Sequence, residues 1–191
     1  MIDFAQPADH VAPLLLGCTL SHAGVTIRLT EVEAYLGEQD DASHARRGKT
    51  PRNAAMFGPP GRMYVYISYG IHHAGNIVCH PPGGSGGILL RAGEVVDGHD
   101  TARARRGPTI PDARLAQGPG NLGRALALHV DHNHSPVLHS GTDGFVLKDR
   151  DHEPHWTTGP RIGITRNADA PLRFYLPGEP TVTSPRGRAR R

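Results

Sequence analysis

Lysine is nearly absent. Of 21 basic side chains in the 191-residue chain, only Lys49 and Lys148 are lysines, and the rest are arginines. That scarcity removes most candidates for chemistry through a side-chain amine and a Schiff base. It leaves many planar guanidinium forks suited to phosphate. Cysteine is as scarce: Cys18 and Cys79 make no disulfide framework and no CxxC pair, which fits a reducing compartment. No apolar run approaches membrane-spanning length. No basic segment leads into a sustained apolar run near Met1, so no secretory leader and a cytoplasmic location are expected. Aromatic residues make up only 5% of the chain and the net charge is only +3. The mild basic bias is compatible with a nucleic-acid partner without requiring one.

Glycine and proline are abundant, at 24 and 17 residues, which points to many turns rather than a helical bundle. The length favours one domain with enough apolar content to bury a core.

The few aromatics are not evenly spread. Four of the five tyrosines fall between residues 35 and 69. The same stretch holds Glu31 and Glu33 and the cations His44, Arg46, Arg47, Lys49 and Arg52. Carboxylate, aromatic planes and positive charge are the parts needed to hold a base and attack its sugar bond.

From Val25 to Leu29 apolar and polar residues alternate, the period of a half-buried strand. If that strand runs on without a bulge, Glu31, Glu33 and Tyr35 share the face of Val25, Ile27 and Leu29. Two carboxylates would then point inward, where each needs a cation or hydrogen bonds. A bulge or a strand end would instead send both to solvent. Met63 to Tyr69 alternates too: Met63, Val65, Ile67 and Tyr69 on one face, Tyr64, Tyr66 and Ser68 on the other. Tyr66 and Tyr69 are thereby expected on opposite sides of one strand. Strand aromatics are common for packing alone.

Elsewhere the chain is less explicit. Residues 7–24 read as a helical or irregular lead-in, and 80–87 as a Pro/Gly/Ser loop. Residues 87–94 read as a strand carrying Arg91. Residues 97–112 read as an exposed loop or short helix. Gly118-Pro119 precedes a helical pattern, and 142–149 and 171–183 read as later strands. There are 13 histidines, four of them crowded at His129, His132, His134 and His139. Without HExxH or paired CxxC spacing they are read as solvated loop residues, and no metal or cofactor is expected.

The motifs Glu31-Val32-Glu33-Ala34-Tyr35-Leu36-Gly37, His44, Thr50-Pro51-Arg52-Asn53 and Tyr64-Val65-Tyr66-Ile67-Ser68-Tyr69-Gly70 closely resemble the 3-methyladenine (alkyladenine) DNA glycosylase family. Asn76, Leu89-Leu90-Arg91-Ala92, Gly118-Pro119, Pro160-Arg161-Ile162-Gly163 and Leu172-Arg173-Phe174-Tyr175 extend the resemblance over about residues 10 to 183. It implies a mixed α/β fold: one domain, residues 1–183, around a curved, mostly antiparallel sheet with a protruding DNA-binding hairpin. Residues 184–191 would be a basic, disordered tail. The implied partner is double-stranded DNA with damaged purines, bound by a monomer that is not attached to a membrane.

The resemblance also implies roles. Glu33 would be the general base for water attack on C1′. Arg91 would contact the DNA backbone or hold that glutamate. Tyr35 and His44 would stack on one side of a flipped base and Tyr66 on the other. Asn76 would form the pocket floor that excludes guanine. Tyr69 would fill the gap in the duplex, with Arg47, Arg52 and Tyr64 as further DNA contacts. The product would be an abasic site, since neither lysine occupies a catalytic position of the family. His72 to Gly75 depart from the family pattern, where larger residues are usual. A hydrolase of free nucleosides would need Glu33 but not Tyr69. A non-catalytic lesion-binding module would need the aromatics but not Glu33.

Overall fold

A computed structural model of the protein describes residues 1–184. The expected basic tail therefore lies, apart from Ser184, outside the described residues. Among those residues no helix is long and apolar enough to cross a membrane.

The chain opens with helix α1 (Ala8–Leu15), whose Ala8, Val11, Ala12 and Leu15 are buried at helical spacing. Strand β1 (Thr19–His22) follows and pairs with β2 (Val25–Tyr35). The lead-in thus contains a strand that sequence patterning leaves unmarked. Its two-residue turn is Ala23-Gly24, with φ of 49° and 77°, the left-handed pair a tight hairpin requires. Ala-Gly lacks the Asn-Gly signature that would have exposed it.

Next come β3 (Met63–Ser68), β4 (His72–Val78), β5 (Gly87–Asp97) and helix α2 (His99–Arg106). They are followed by β6 (Ala116–Gln117), helix α3 (Pro119–Ala125), β7 (Val137–Leu138), β8 (Phe145–Lys148), β9 (Thr157–Gly159) and β10 (Arg173–Tyr175). One sheet carries all of them in the order β3-β4-β5-β2-β1-β8-β7, with β10 joining β2 to β9 and β6 added to β5. Every pairing is antiparallel except β7 with β8. The mostly antiparallel mixed α/β expectation therefore holds.

The path of β2 positions everything that follows. Leu29 pairs with Gly93, Glu31 with Ala92, and Val32 with Leu90. Thr30 is thus an extra residue on β2 and Arg91 an extra residue on β5, two facing bulges that cancel in register. Val25, Ile27 and Leu29 lie in the main apolar core before the bulge, and Val32 and Ala34 lie in it after. The core face has changed parity. Glu31 and Glu33 therefore leave the face of Leu29, contrary to the uninterrupted alternation. They do not reach solvent either: both are fully buried, Glu31 among Arg91, Arg173 and Thr183 and Glu33 among Tyr35, Arg91 and the Ile162 N–H.

The β3–β4 hairpin pairs Met63 through Ser68 with Ile77 through His72. Strand β3 ends at Ser68, so Tyr69 is not on the strand face opposite Tyr66. It sits in the turn, with φ of 51° and 85% of its surface exposed. Ile67 and Ile71 beside it are exposed as well. The histidine-rich segment lies against this hairpin. Asn133 grips both backbone groups of Val65, at 2.9 and 3.0 Å. His129 and His132 cap the short turn 130–132, and His132 packs edge-on against Phe145. These histidines are structural neighbours rather than purely solvated ones.

Candidate active site

Pairing across the sheet sets one transverse row of residues on the face away from the main core. Tyr64 on β3 faces Asn76 on β4, Asn76 faces Leu89 on β5, Leu89 faces Glu33 on β2, and Glu33 faces Arg173 on β10. Antiparallel partners share a face, so alternation adds Tyr66, Ala74, Tyr35 and Gly87 to the same side. Three strands, β2, β3 and β4, thereby place Glu33, Tyr35, Tyr66 and Asn76 on one side of the sheet.

Glu33 is held at both carboxylate oxygens. The Ile162 backbone N–H donates to Oε1 at 2.8 Å, and the Tyr35 hydroxyl donates to Oε2 at 3.0 Å. Arg91 Nη1 stands 3.4 Å from Oε1. Burial nonetheless pushes the Glu33 pKa above the ordinary carboxylate value, and Arg91 and the hydrogen bonds only partly offset it. A carboxyl raised this way is better matched to proton uptake near neutrality than an exposed one.

Glu31 has a different environment. It takes Arg91 Nε at 3.1 Å, Arg173 Nη1 at 3.0 Å and the Thr183 backbone N–H at 2.8 Å. Two arginines and a hydroxyl saturate it, so Glu31 anchors Arg91 rather than facing a ligand. The Arg91 side chain is itself only 7% exposed and spans both glutamates.

Tyr35 is backed by Arg161, whose guanidinium lies 4.5 Å from the ring centroid. Arg161 in turn donates to both oxygens of Asp40 and to the Ala34 carbonyl. Gly37, at φ of 71°, lets this strand exit pass Ser85, whose carbonyl would lie 2.1 Å from a Cβ there. Burial and the nearby Glu33 charge push the Tyr35 hydroxyl well above its ordinary range, and burial foremost pushes Tyr66 up to about 12. Both hydroxyls therefore stay protonated at neutral pH and can donate.

His44 packs edge-on against Tyr66, with ring centroids 4.5 Å apart. Its Nδ1 lies 3.0 Å from the Tyr64 hydroxyl. Burial of the ring, then Arg52 and Arg46, lower its pKa, so the neutral imidazole is favoured for stacking. Asn53 fixes the loop beneath by donating to the carbonyls of His44 and Gly48 at 2.8 and 3.1 Å. His44, Arg46, Arg47, Arg52 and Tyr64 line a cavity of about 210 Å³ beside it. Arg47 and Arg52 are exposed at its rim. Tyr64 departs from its expected place as a DNA contact: only 1% of its surface is exposed, and its ring packs with Val78 and Met56. It supports His44 from below. Asn76 donates from Nδ2 to the Tyr64 carbonyl at 3.1 Å, which fixes its amide on the sheet face. Tyr69 stands apart, at the exposed hairpin turn.

No local pattern in the sequence marks Arg161, Ile162, Arg173 or Thr183 for the site. The first three lie in motifs that carry the family resemblance, which was the signal available for them. Thr183 follows a Pro/Thr stretch with no periodicity and meets Glu31 across 152 residues.

The family model described as Methylpurine-DNA glycosylase (MPG) matches residues 2–180. A Corynebacterium efficiens protein is 64% identical over 98% of this chain and 96% of its own length. A Corynebacterium jeikeium protein is 59% identical over 98% of this chain and 92% of its own. One from Cutibacterium acnes is 50% identical over 97% of this chain and 100% of its own. All three carry the provisional name 3-methyladenine DNA glycosylase.

Proposed function

The chain belongs to the methylpurine-DNA glycosylase family, and from that premise we propose that it hydrolyses the bond between damaged purines and deoxyribose in double-stranded DNA. The substrates would be alkylated or deaminated purines: 3-methyladenine, 7-methylguanine, hypoxanthine and ethenoadenine. The observation that carries this reading is Glu33: fully buried, raised in pKa, and facing the same side of the sheet as Tyr35, Tyr66 and Asn76.

A base inside a duplex is out of reach, so it is turned out of the helix at a cost of a few kcal/mol. Aromatic stacking returns about 1–3 kcal/mol per base. Tyr35 supplies one plane and Tyr66 the other; His44, expected on the side of Tyr35, packs edge-on against Tyr66 instead. The exposed Tyr69 enters the vacated position in the duplex, and Arg47 and Arg52 meet phosphate.

Glu33 accepts a proton from water as the water oxygen bonds to C1′. The C1′–N bond breaks and its electron pair passes to the purine. An alkylated purine such as 3-methyladenine or 7-methylguanine already carries positive charge and leaves neutral, whereas hypoxanthine and ethenoadenine take up a proton as they leave. The carboxylate also balances positive charge growing on the sugar. Tyr35 and the Ile162 N–H keep Glu33 oriented, and Arg91 tempers its pKa. The reading without strand cleavage rests on the two lysines: Lys148 lies on β8, separated from β2 by β1, and Lys49 lies on an exposed loop, neither at a position of the motif that carries Glu33. The enzyme leaves an abasic site, acts as a monomer and works in the cytoplasm on the chromosome.

A panel of duplex oligonucleotides, each with one damaged purine, tests the reading. Base release without strand scission, and no protein–DNA adduct after borohydride, is the expected result. Release that weakens steeply with salt accords with phosphate contacts. Borohydride trapping of the protein on DNA contradicts the monofunctional scheme. Salt-insensitive turnover of free inosine at a comparable rate favours the nucleosidase.

A further inference from the structure

Thr183 is 152 residues from Glu31 in sequence, yet it touches three members of the charged cluster. Its N–H donates to Glu31 Oε2 at 2.8 Å, and its hydroxyl lies 2.8 Å from both Glu31 oxygens. Arg91 Nε donates to that hydroxyl at 3.2 Å, and Arg173 Nη1 donates to the Thr183 carbonyl at 3.3 Å. The segment that delivers Thr183 is itself fastened. The Thr181 and Thr30 hydroxyls meet at 2.7 Å, and the Gln117 amide donates to the carbonyls of Pro180 and Val182 at 3.2 and 3.1 Å. Thr30 is the bulge residue of β2, so one irregularity both turns the glutamates off the core face and anchors the strap over them.

A hydroxyl has one proton to give and two lone pairs. Arg91 Nε occupies a lone pair, so the proton goes to Glu31. Arg91 is thereby divided: Nε toward Glu31 and Thr183, and Nη1 at 3.4 Å from Glu33. We propose that Thr183 is a positioning residue for base excision: by satisfying Glu31 and steadying Arg91 Nε, it keeps the other end of the guanidinium on Glu33. This rests on the reading of Glu33 as general base.

Glu33 is faced by Glu31 and Tyr35 from its own strand, Arg91 from β5, Tyr66 from β3, Arg173 from β10, and Arg161 with the Ile162 N–H from the 160–163 segment. Among these, Arg91 is the main charge that draws the Glu33 pKa down against burial. Remove the Thr183 hydroxyl and Glu31 loses a donor. It then takes more of Arg91, the longer contact to Glu33 weakens, and Glu33 holds its proton to higher pH.

The test is carbon NMR of carboxyl-labelled glutamate in the full chain, with the Glu33 signal identified by its loss in Glu33→Gln. Thr183→Val should move the Glu33 midpoint upward by roughly half a pH unit or more, and Thr183→Ser should restore it. Thr183→Ala, which keeps the backbone N–H, should move it in the same direction and serves if the valine variant does not fold. Single-turnover excision against pH is measured in parallel, and its acid limb should follow the titration. An unmoved Glu33 midpoint in a folded Thr183→Val or Thr183→Ala protein overturns the proposal. A moved midpoint with an unmoved limb keeps Thr183 as the device that places Arg91 and removes Glu33 as the base.

Discussion

The Arg161 guanidinium covers the Tyr35 ring at 4.5 Å while gripping Asp40 with two nitrogens, at 2.5 and 2.8 Å. Neither partner of that ion pair exposes side-chain surface. Arg161→Met keeps bulk and leaves Asp40 buried without its cation, which costs about 3–5 kcal/mol. Burial raises the Asp40 pKa, but the bonds from Arg161 and Asn167 outweigh it and leave the pKa lowered. Stability from a lowered carboxyl is present above its unfolded pKa and is lost as pH falls through the folded one. Denaturant titrations should therefore show a wide gap between parent and variant at neutral pH. That gap should narrow as the pH falls through the acid range and Asp40 takes up its proton, first in the variant that lacks the cation and last in the parent. A gap that does not depend on pH counts against the ion pair as the cause.

Glu33 makes the opposite linkage. Its folded pKa is raised, so the native state favours the protonated form. The charged side chain costs stability above its folded pKa, and the cost vanishes below its unfolded pKa. Glutamine mimics the protonated acid. Glu33→Gln should thus melt at a higher temperature than the parent near pH 8 and at the same temperature near pH 4. A lower melting temperature at pH 8 shows that the Arg91 contact outweighs burial.

Tyr69 pairs a left-handed backbone with an exposed ring, at φ of 51°. Holding a tyrosine there costs about 1–2 kcal/mol that glycine does not incur. Tyr69→Gly should leave stability unchanged or raise it by up to about 1 kcal/mol, less the flexibility it adds to the unfolded chain. The same change should weaken capture of a lesion in duplex more than in single-stranded DNA. Equal loss on both substrates denies Tyr69 a place in the duplex.

Asn76 is tied through Nδ2 to the Tyr64 carbonyl, so its amide cannot swing away from the sheet face without losing that bond. Shortening it to serine should open space at the floor. Asn76→Ser should release undamaged guanine slowly while changing hypoxanthine excision less, read by single-turnover assays on matched duplexes. A folded variant that loses hypoxanthine activity and gains nothing on guanine reduces Asn76 to a strand-pairing residue.

Periodicity made β2, β3 and β5 legible, and it raised the question of the misplaced carboxylates. It could not reveal how they are accommodated. The bulge at Thr30 arises from pairing with β5, and a single strand carries no mark of its partner's extra residue at Arg91. The same limit hid the turn at Tyr69, because alternation continues through Ser68 whether or not the strand does. Glu33, Tyr35, Tyr66 and Asn76 meet because their strands are neighbours with matched parity. Motif resemblance anticipated that grouping, and local patterning could not. Arg161, Arg173 and Thr183 act across more than 100 residues of chain, where only the closed fold shows the partner. Tyr64, a DNA contact by motif resemblance, is covered by packing with Met56 and Val78, which no local pattern in β3 marks.

The central claim is that Glu33 activates the water that attacks C1′. Single-turnover excision from a duplex carrying one hypoxanthine or 3-methyladenine, compared among the parent, Glu33→Gln and Glu31→Gln, measures it most directly. General-base catalysis contributes about 10²–10⁴-fold, so Glu33→Gln should bind the lesion as the parent does and lose excision by at least the lower of those factors. Glu31→Gln, which keeps an acceptor for Arg91, should lose far less. Equal losses in two folded variants, or near-parental excision by Glu33→Gln, would contradict the account.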